Sequence, residues 1–180
     1  METTVVRRSN VLIALALIAL AVLLRILPHP DNFAPMAAIA LFGGAVLPRR
    51  YAVATPLAAM IVSDLIIGLH SLVLVTWACY ALIALASSQW LRRASVFRGA
   101  FVTVSGSVFF FVVTNLAVWA EGRIYTHSLQ DLIRCFTLAL PFFRNTFLSD
   151  IIYTASLFGL YALAGQLPRY LAKASGSTGA

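Results

Sequence analysis

The chain has 180 residues, of which 61% are hydrophobic and only 11% are charged. A soluble domain is typically about one half apolar and about one quarter charged, so this composition excludes an ordinary soluble protein and indicates a single membrane domain. The net charge of +7 does not indicate nucleic-acid binding, because the basic residues occur in pairs at the ends of apolar segments. Positively charged residues mark the cytoplasmic side of a membrane protein, which explains this charge.

Six apolar segments follow one another along the chain. The first is long enough to cross a bilayer and is preceded by Arg7 and Arg8. We interpret it as an uncleaved helix rather than a signal peptide, because no clean small-residue cleavage site follows it. The second is too short to span alone and is either extended by its flanks or re-entrant. The predicted segments are residues 10–27, 36–47, 52–68, 71–91, 99–120 and 142–167.

The connections between these segments carry prolines and charges. Residues 28–35 contain three prolines and are expected to form a loop, because proline removes a backbone donor and biases its neighbours towards extended conformations. Arginine pairs at 49–50 and 92–93 mark turns on the side of the membrane opposite to this loop. A polar stretch at 121–134 and a break at Pro141 are expected before the last segment. Residues 1–173 then form one domain, followed by a disordered tail at 174–180.

If the six segments alternate across the membrane, the charges sort by side. All acidic residues except Glu2, and all three histidines, fall in the half opposite to the termini. The positive-inside rule therefore predicts that both termini are cytoplasmic and that the polar half faces outwards. Nine of the thirteen lysines and arginines fall on the cytoplasmic side, namely Arg7, Arg8, Arg49, Arg50, Arg92, Arg93, Arg98, Arg169 and Lys173.

Several polar residues lie inside the apolar segments near their outer ends. Ionisable groups are costly in lipid, so they usually face the interior of a helix bundle and serve a function. Asp64 lies in the third segment, and Arg144, Asn145 and Asp150 lie in the sixth, below His29 on the proline-rich loop. This convergence predicts an outward-facing cavity. The alternative is a structural network in which Arg144 pairs with Asp64 or Asp150.

The sixth segment also carries two polar stripes whose members are four residues apart. Residues at this spacing share one helix face, so each stripe needs polar neighbours or water. The stripes are Asn145, Ser149, Tyr153 and Thr146, Asp150, Thr154.

Two cysteines, Cys79 and Cys135, do not make a disulfide framework, and the default for each is a small buried residue. Cys79 shares a helix face with Thr76, Tyr80 and Ile83. On a cavity wall its thiolate could ligate a soft or borderline metal centre. The sequence has no metal-ligand spacing, so such a metal would be one already held in a cofactor. It also has no GxSxG, P-loop or HExxH motif.

Four stretches together resemble the substrate-binding S components of energy-coupling-factor vitamin transporters, which are small six-helix proteins of the bacterial inner membrane. The resemblance spans about residues 25 to 165 and implies an all-α membrane protein with six transmembrane helices and both termini in the cytoplasm. The stretches are PHPDNFAP at 28–35, ALFGGA at 40–45, SDL at 63–65 and PFFRNT at 141–146.

Cys79 makes the chain similar to the solitary, cobalamin-specific members known as BtuM. The resemblance implies that Cys79 ligates the cobalt of a transported cobalamin, and that removal of cyanide from cyanocobalamin is a side activity of this thiol. It implies no catalytic residue otherwise and no cofactor of the protein's own; cobalamin and the lipid bilayer are the expected partners. The substrate-binding residues that it implies besides Cys79 are His29, Asp64, Tyr80, Arg144 and Asn145.

Three further expectations follow. The first helix lacks the AxxxA pattern of S components that dock on a shared energising module, because none of its alanines are four residues apart. This suits a solitary transporter. One alternative is an S component for another vitamin or precursor, in which Cys79 only packs. Another is a membrane enzyme that uses His29, Asp64 and Arg144 on a lipid or polyprenyl substrate, although no catalytic motif supports it.

Overall fold

The computed structural model describes the backbone of residues 2–91 and 96–176, with side chains for 8–91 and 97–165, and is entirely helical there apart from its connections. Residues 174–176, which the sequence assigned to a tail, belong to the last helix, and 177–180 lie outside the described residues. The six helices are α1 Glu2–Ile26, α2 Met36–Val46, α3 Arg49–Ile67, α4 Val73–Trp90, α5 Val96–Glu121 and α6 Leu129–Gly176.

Five of these helices are long and apolar enough to cross a membrane, which confirms a multi-pass, all-α membrane protein. The exception is α2, whose 11 residues extend only about 16 Å at the rise of an α-helix. The hydrocarbon layer is about 30 Å thick, so α2 does not span it alone. The count of six complete spans therefore stays a prediction.

The short helix α2 lies in the centre of the bundle. Every residue from Met36 to Gly44 is buried, as expected for a helix that is apolar on all sides. It packs against α3, α4 and α6. The approach of α4 is especially close at Gly44, because a Cβ atom added there would lie 2.6 Å from the Cβ of Ser87. The Ser87 hydroxyl in turn donates to the backbone carbonyl of Leu41.

Replacing Gly44 with alanine is therefore expected to destabilise the bundle by about 1–3 kcal/mol, the usual cost of overpacking a core. The added methyl group would also lie 2.7 Å from the carbonyl oxygen of Ala84, a backbone atom that cannot move alone. Thermal unfolding in detergent measures the effect. Gly43→Ala is the matched control, because its nearest contact is at 3.8 Å. Equal melting temperatures for the two variants would contradict the close approach.

The helices from α2 onwards alternate in direction, and α1 packs along α3. One end of the bundle, here called the loop end, contains residues 27–35 and 68–72. At the opposite end the charged side chains that the structure describes are all basic. They are Arg8, Arg49, Arg50 and Arg98.

The sorting of charges that the sequence predicts is thus present at these positions. Arg92 and Arg93, together with the side chains of Arg7, Arg169 and Lys173, lie outside the described residues. Which end faces the cytoplasm stays a prediction.

The last helix is continuous, so the predicted break at Pro141 is wrong. Proline removes one backbone hydrogen bond, but packing against a neighbouring helix can outweigh this loss. Here the ring of Phe111 on α5 contacts Phe136 and Phe143, on either side of the proline, with centroid distances of 5.4 and 4.7 Å. The 48 residues of α6 extend about 70 Å, so part of this helix projects beyond the hydrocarbon layer.

Candidate ligand-binding cavity

A cavity of about 620 Å³ lies at the loop end of the bundle. Its volume is within the range of small-molecule binding sites, about 300–1,000 Å³. Both loops contribute to its lining, and so do all six helices. One lining residue from each helix, in chain order, is Arg25, Met36, Met60, Tyr80, Phe110 and Asp150.

The loop at 27–35 forms part of the cavity lining and is held in place by α6. The side-chain amide of Asn145 donates to the carbonyl oxygen of Asp31 at 3.0 Å, and the hydroxyl of Ser149 lies 3.4 Å from the carbonyl oxygen of Ala34. The expectation that the polar stripes of this helix meet polar neighbours is therefore confirmed for Asn145 and Ser149. These bonds restrict how far the loop can move without α6.

An ion pair between α1 and α3 lies beside the cavity. Arg25 Nη1 is 2.6 Å from Asp64 Oδ1, and the same nitrogen donates to Ser63 Oγ at 2.6 Å. The second oxygen of Asp64 accepts a hydrogen bond from Trp77 Nε1 at 2.7 Å. The Asp64 carboxylate is only 1% exposed, while the Arg25 side chain is 18% exposed and reaches the cavity. This cluster connects the ends of α1, α3 and α4.

The alternative in which Arg144 pairs with Asp64 or Asp150 is wrong, because Arg25 occupies that position beside Asp64. Arg144 is exposed and does not line the cavity. Among the described residues the ion pairs are Arg25–Asp64 and the more exposed Arg123–Glu121. Arg144 takes part in neither.

A second carboxylate, that of Asp150, lines the cavity from α6. The residue is 1% exposed, and its Oδ2 accepts a hydrogen bond of 2.6 Å from the hydroxyl of Ser107 on α5. Beside it, Tyr80 stacks on Phe110 with ring centroids 5.0 Å apart and planes at 27°. Both rings line the cavity, which gives it an aromatic wall next to a carboxylate.

Cys79 is 1% exposed and does not line the cavity, although its neighbour Tyr80 does. Cys135 is also buried, and its thiol lies 3.5 Å from the carbonyl oxygen of Asn115. Within the described residues no group of three or more His, Cys, Asp or Glu side chains could hold a metal ion. The role of Cys79 as a cobalt ligand stays a prediction.

A family model matches residues 6–173, which include all six helices almost completely and the whole cavity. The chain belongs to DUF6580, a family of unknown function. No curated protein and no solved structure matches this DUF6580 chain.

The cavity of this DUF6580 protein contains two of the six residues predicted to form the site, His29 and Tyr80. Asp64 lies directly behind the wall and positions Arg25, while Asn145 anchors the loop. Seven further polar residues that line the cavity were not nominated from the sequence for a ligand site, although Asp150 was noted as an intramembrane charge. They are Arg25, Asn32, His70, Thr76, Thr114, Thr146 and Asp150.

Proposed function

We propose that this protein binds a small organic solute at the outer face of the membrane and carries it inwards, as a transporter of the S-component type. The observation that supports this function best is a cavity built by all six helices, with polar groups from α1, α5 and α6 directed to one volume. Ionisable residues in membrane helices are costly and usually serve a substrate pathway. A purely structural bundle would not need an open cavity of this size.

The orientation belongs to the same proposal. With the arginine-bearing end in the cytoplasm, as the positive-inside rule requires, the loop end and its cavity face outwards. Residues 27–35 then lie where a solute enters. In the bacterial inner membrane, which the resemblance implies, this is the periplasmic or external face.

A vitamin-sized solute is better supported than a complete corrinoid. Cobalamin is larger than the ligands that a cavity of 620 Å³ usually encloses, so its entry would require the helices to separate. Cobalt ligation would also require Cys79 to reach the cavity, whereas its side chain is buried and does not line the cavity. Cobalamin therefore remains a second candidate solute, which depends on a rearrangement of α4.

The visible spectrum of bound cobalamin tests this candidate. We expect the wild-type protein and Cys79→Ala to give the same spectrum and the same affinity, because the thiol does not line the cavity. A spectral change present in the wild type and absent in the variant would instead establish thiolate ligation and make cobalamin the solute. The isosteric Cys79→Ser, which keeps the volume of the side chain, controls for altered packing.

The proposed function itself is tested with a defined mixture of water-soluble vitamins and their precursors. The purified protein in lipid nanodiscs is incubated with the mixture and washed, and mass spectrometry then identifies what is retained relative to empty nanodiscs. Retention of one unaltered compound is expected. Retention of none would contradict the proposal, while recovery of a chemically altered compound would favour the membrane-enzyme alternative.

A further inference from the structure

The cavity contains the buried carboxylate of Asp150, which has no cationic partner among the described residues. Asp150 is 1% exposed, and Ser107 donates to its Oδ2, but its Oδ1 has no hydrogen-bond partner among the described residues. Neither of the two ion pairs found there includes Asp150. Burying a charge is costly unless it is paired and hydrogen-bonded, so a cationic group that pairs with this oxygen would offset part of that cost.

Three threonine hydroxyl groups of the wall have no hydrogen left to donate to a ligand. Thr76, Thr114 and Thr146 each donate to a carbonyl oxygen of their own helix, at 2.9, 2.7 and 3.1 Å. A hydroxyl group has one hydrogen and two acceptor lone pairs, so these three side chains can only accept hydrogen bonds from a ligand. These three threonines therefore present acceptors to the solute.

Arg25, the arginine among the described lining residues, does not offset the charge of Asp150. The charge of Arg25 is neutralised by Asp64 at 2.6 Å, and part of its donor capacity is used by Ser63. Next to Asp150, the stacked rings of Tyr80 and Phe110 offer a flat aromatic surface. Aromatic faces attract both rings and cations.

We propose that Asp150 binds a cationic nitrogen group, such as an amidinium, an ammonium or a protonated ring nitrogen, on a solute that contains a flat ring. The ring packs against Tyr80 and Phe110, and the remaining N–H groups donate to the threonine hydroxyls. This inference rests on the proposed function, since it names the chemical class of the solute that the cavity takes.

Three probes of the same shape test it: benzamidine, which is a cation, benzamide, which is neutral, and benzoate, which is an anion. Their binding to the full chain in phosphatidylcholine nanodiscs is measured by saturation-transfer NMR, with empty nanodiscs as the background. Benzamidine is expected to bind at least about tenfold more tightly than benzamide, the effect of one charge-assisted hydrogen bond, and benzoate is expected to bind most weakly.

The variant Asp150→Asn is expected to remove this preference, because the amide keeps the shape but not the charge. Asp131→Asn, the same substitution on the same helix outside the cavity, should keep the preference.

Equal binding of benzamidine and benzamide to the wild type would overturn the inference while leaving a ligand cavity in place, and this result needs no variant to fold. A preference that survives in a folded Asp150→Asn variant would overturn it as well. Failure of all three probes to bind a wild-type protein that retains a solute from the vitamin mixture would also overturn the inference, while leaving the proposed function in place.

Discussion

Replacing Asp64 with alanine is expected to lower the free energy of unfolding by about 3 kcal/mol. Removal of one partner from a buried ion pair costs about 3–5 kcal/mol, because the other charge is left uncompensated. The lower end applies here, since the Arg25 guanidinium retains access to the cavity. The indole nitrogen of Trp77 also loses its acceptor. Thermal unfolding in detergent, followed by tryptophan fluorescence, measures the loss.

The more exposed ion pair at the end of α5 provides the control. Arg123 is 71% exposed and lies 3.1 Å from Glu121, which is 22% exposed, and ion pairs at the surface contribute about 0–1 kcal/mol. Glu121→Ala should therefore change the stability by less than about 1 kcal/mol. Equal losses of stability in Asp64→Ala and Glu121→Ala would show that the Arg25–Asp64 pair does not hold the helix ends together.

Replacing both residues of the Arg25–Asp64 pair distinguishes the cost of an unpaired charge from the loss of the contact between the two helix ends. A double variant with Arg25→Met and Asp64→Leu removes both charges, and apolar replacements of buried pairs are often neutral. We expect it to be more stable than Asp64→Ala alone. A double variant as unstable as the single one would locate the effect in the packing of the side chains rather than in the charge.

Much of the fold could be predicted because it depends on local sequence properties. The lengths of the apolar segments predict the bounds of α3, α4 and α5 to within a few residues, and the prolines of residues 28–35 predict the loop. The error at Pro141 has a different origin. Whether a proline breaks a helix depends on what packs against it, and the contact of Phe111 with two rings of α6 joins residues 25 or more positions apart.

The cavity was predicted from the depth of the polar residues, but its composition was not. Arg25 resembled an ordinary charge at the end of an apolar segment, and its partner lies 38 or more residues away. Arg144 seemed an equally good partner for Asp64 from its depth in the membrane alone, yet the rotation of α6 about its axis leaves Arg144 exposed. Depth along a helix follows from residue number, whereas the direction of a side chain depends on how neighbouring helices pack.

Filling the cavity is expected to abolish solute binding. Thr146 is 8% exposed and lines the cavity, so Thr146→Trp would place an indole ring in the volume next to Asp150. Retention of the solute from the vitamin mixture should fall by at least about tenfold, equivalent to a loss of 1.4 kcal/mol or more. Size-exclusion chromatography and thermal unfolding establish that the variant is folded before retention is measured.

Thr137→Trp is the matched control on the same helix. Thr137 is exposed and lies outside the cavity, and like Thr146 its hydroxyl donates to the carbonyl oxygen four residues earlier. The two variants thus lose the same local hydrogen bond and gain the same ring in a membrane helix. Because only one ring enters the cavity, a loss of retention specific to Thr146→Trp would assign binding to that volume. Equal retention in both variants would mean that the solute binds elsewhere on the protein.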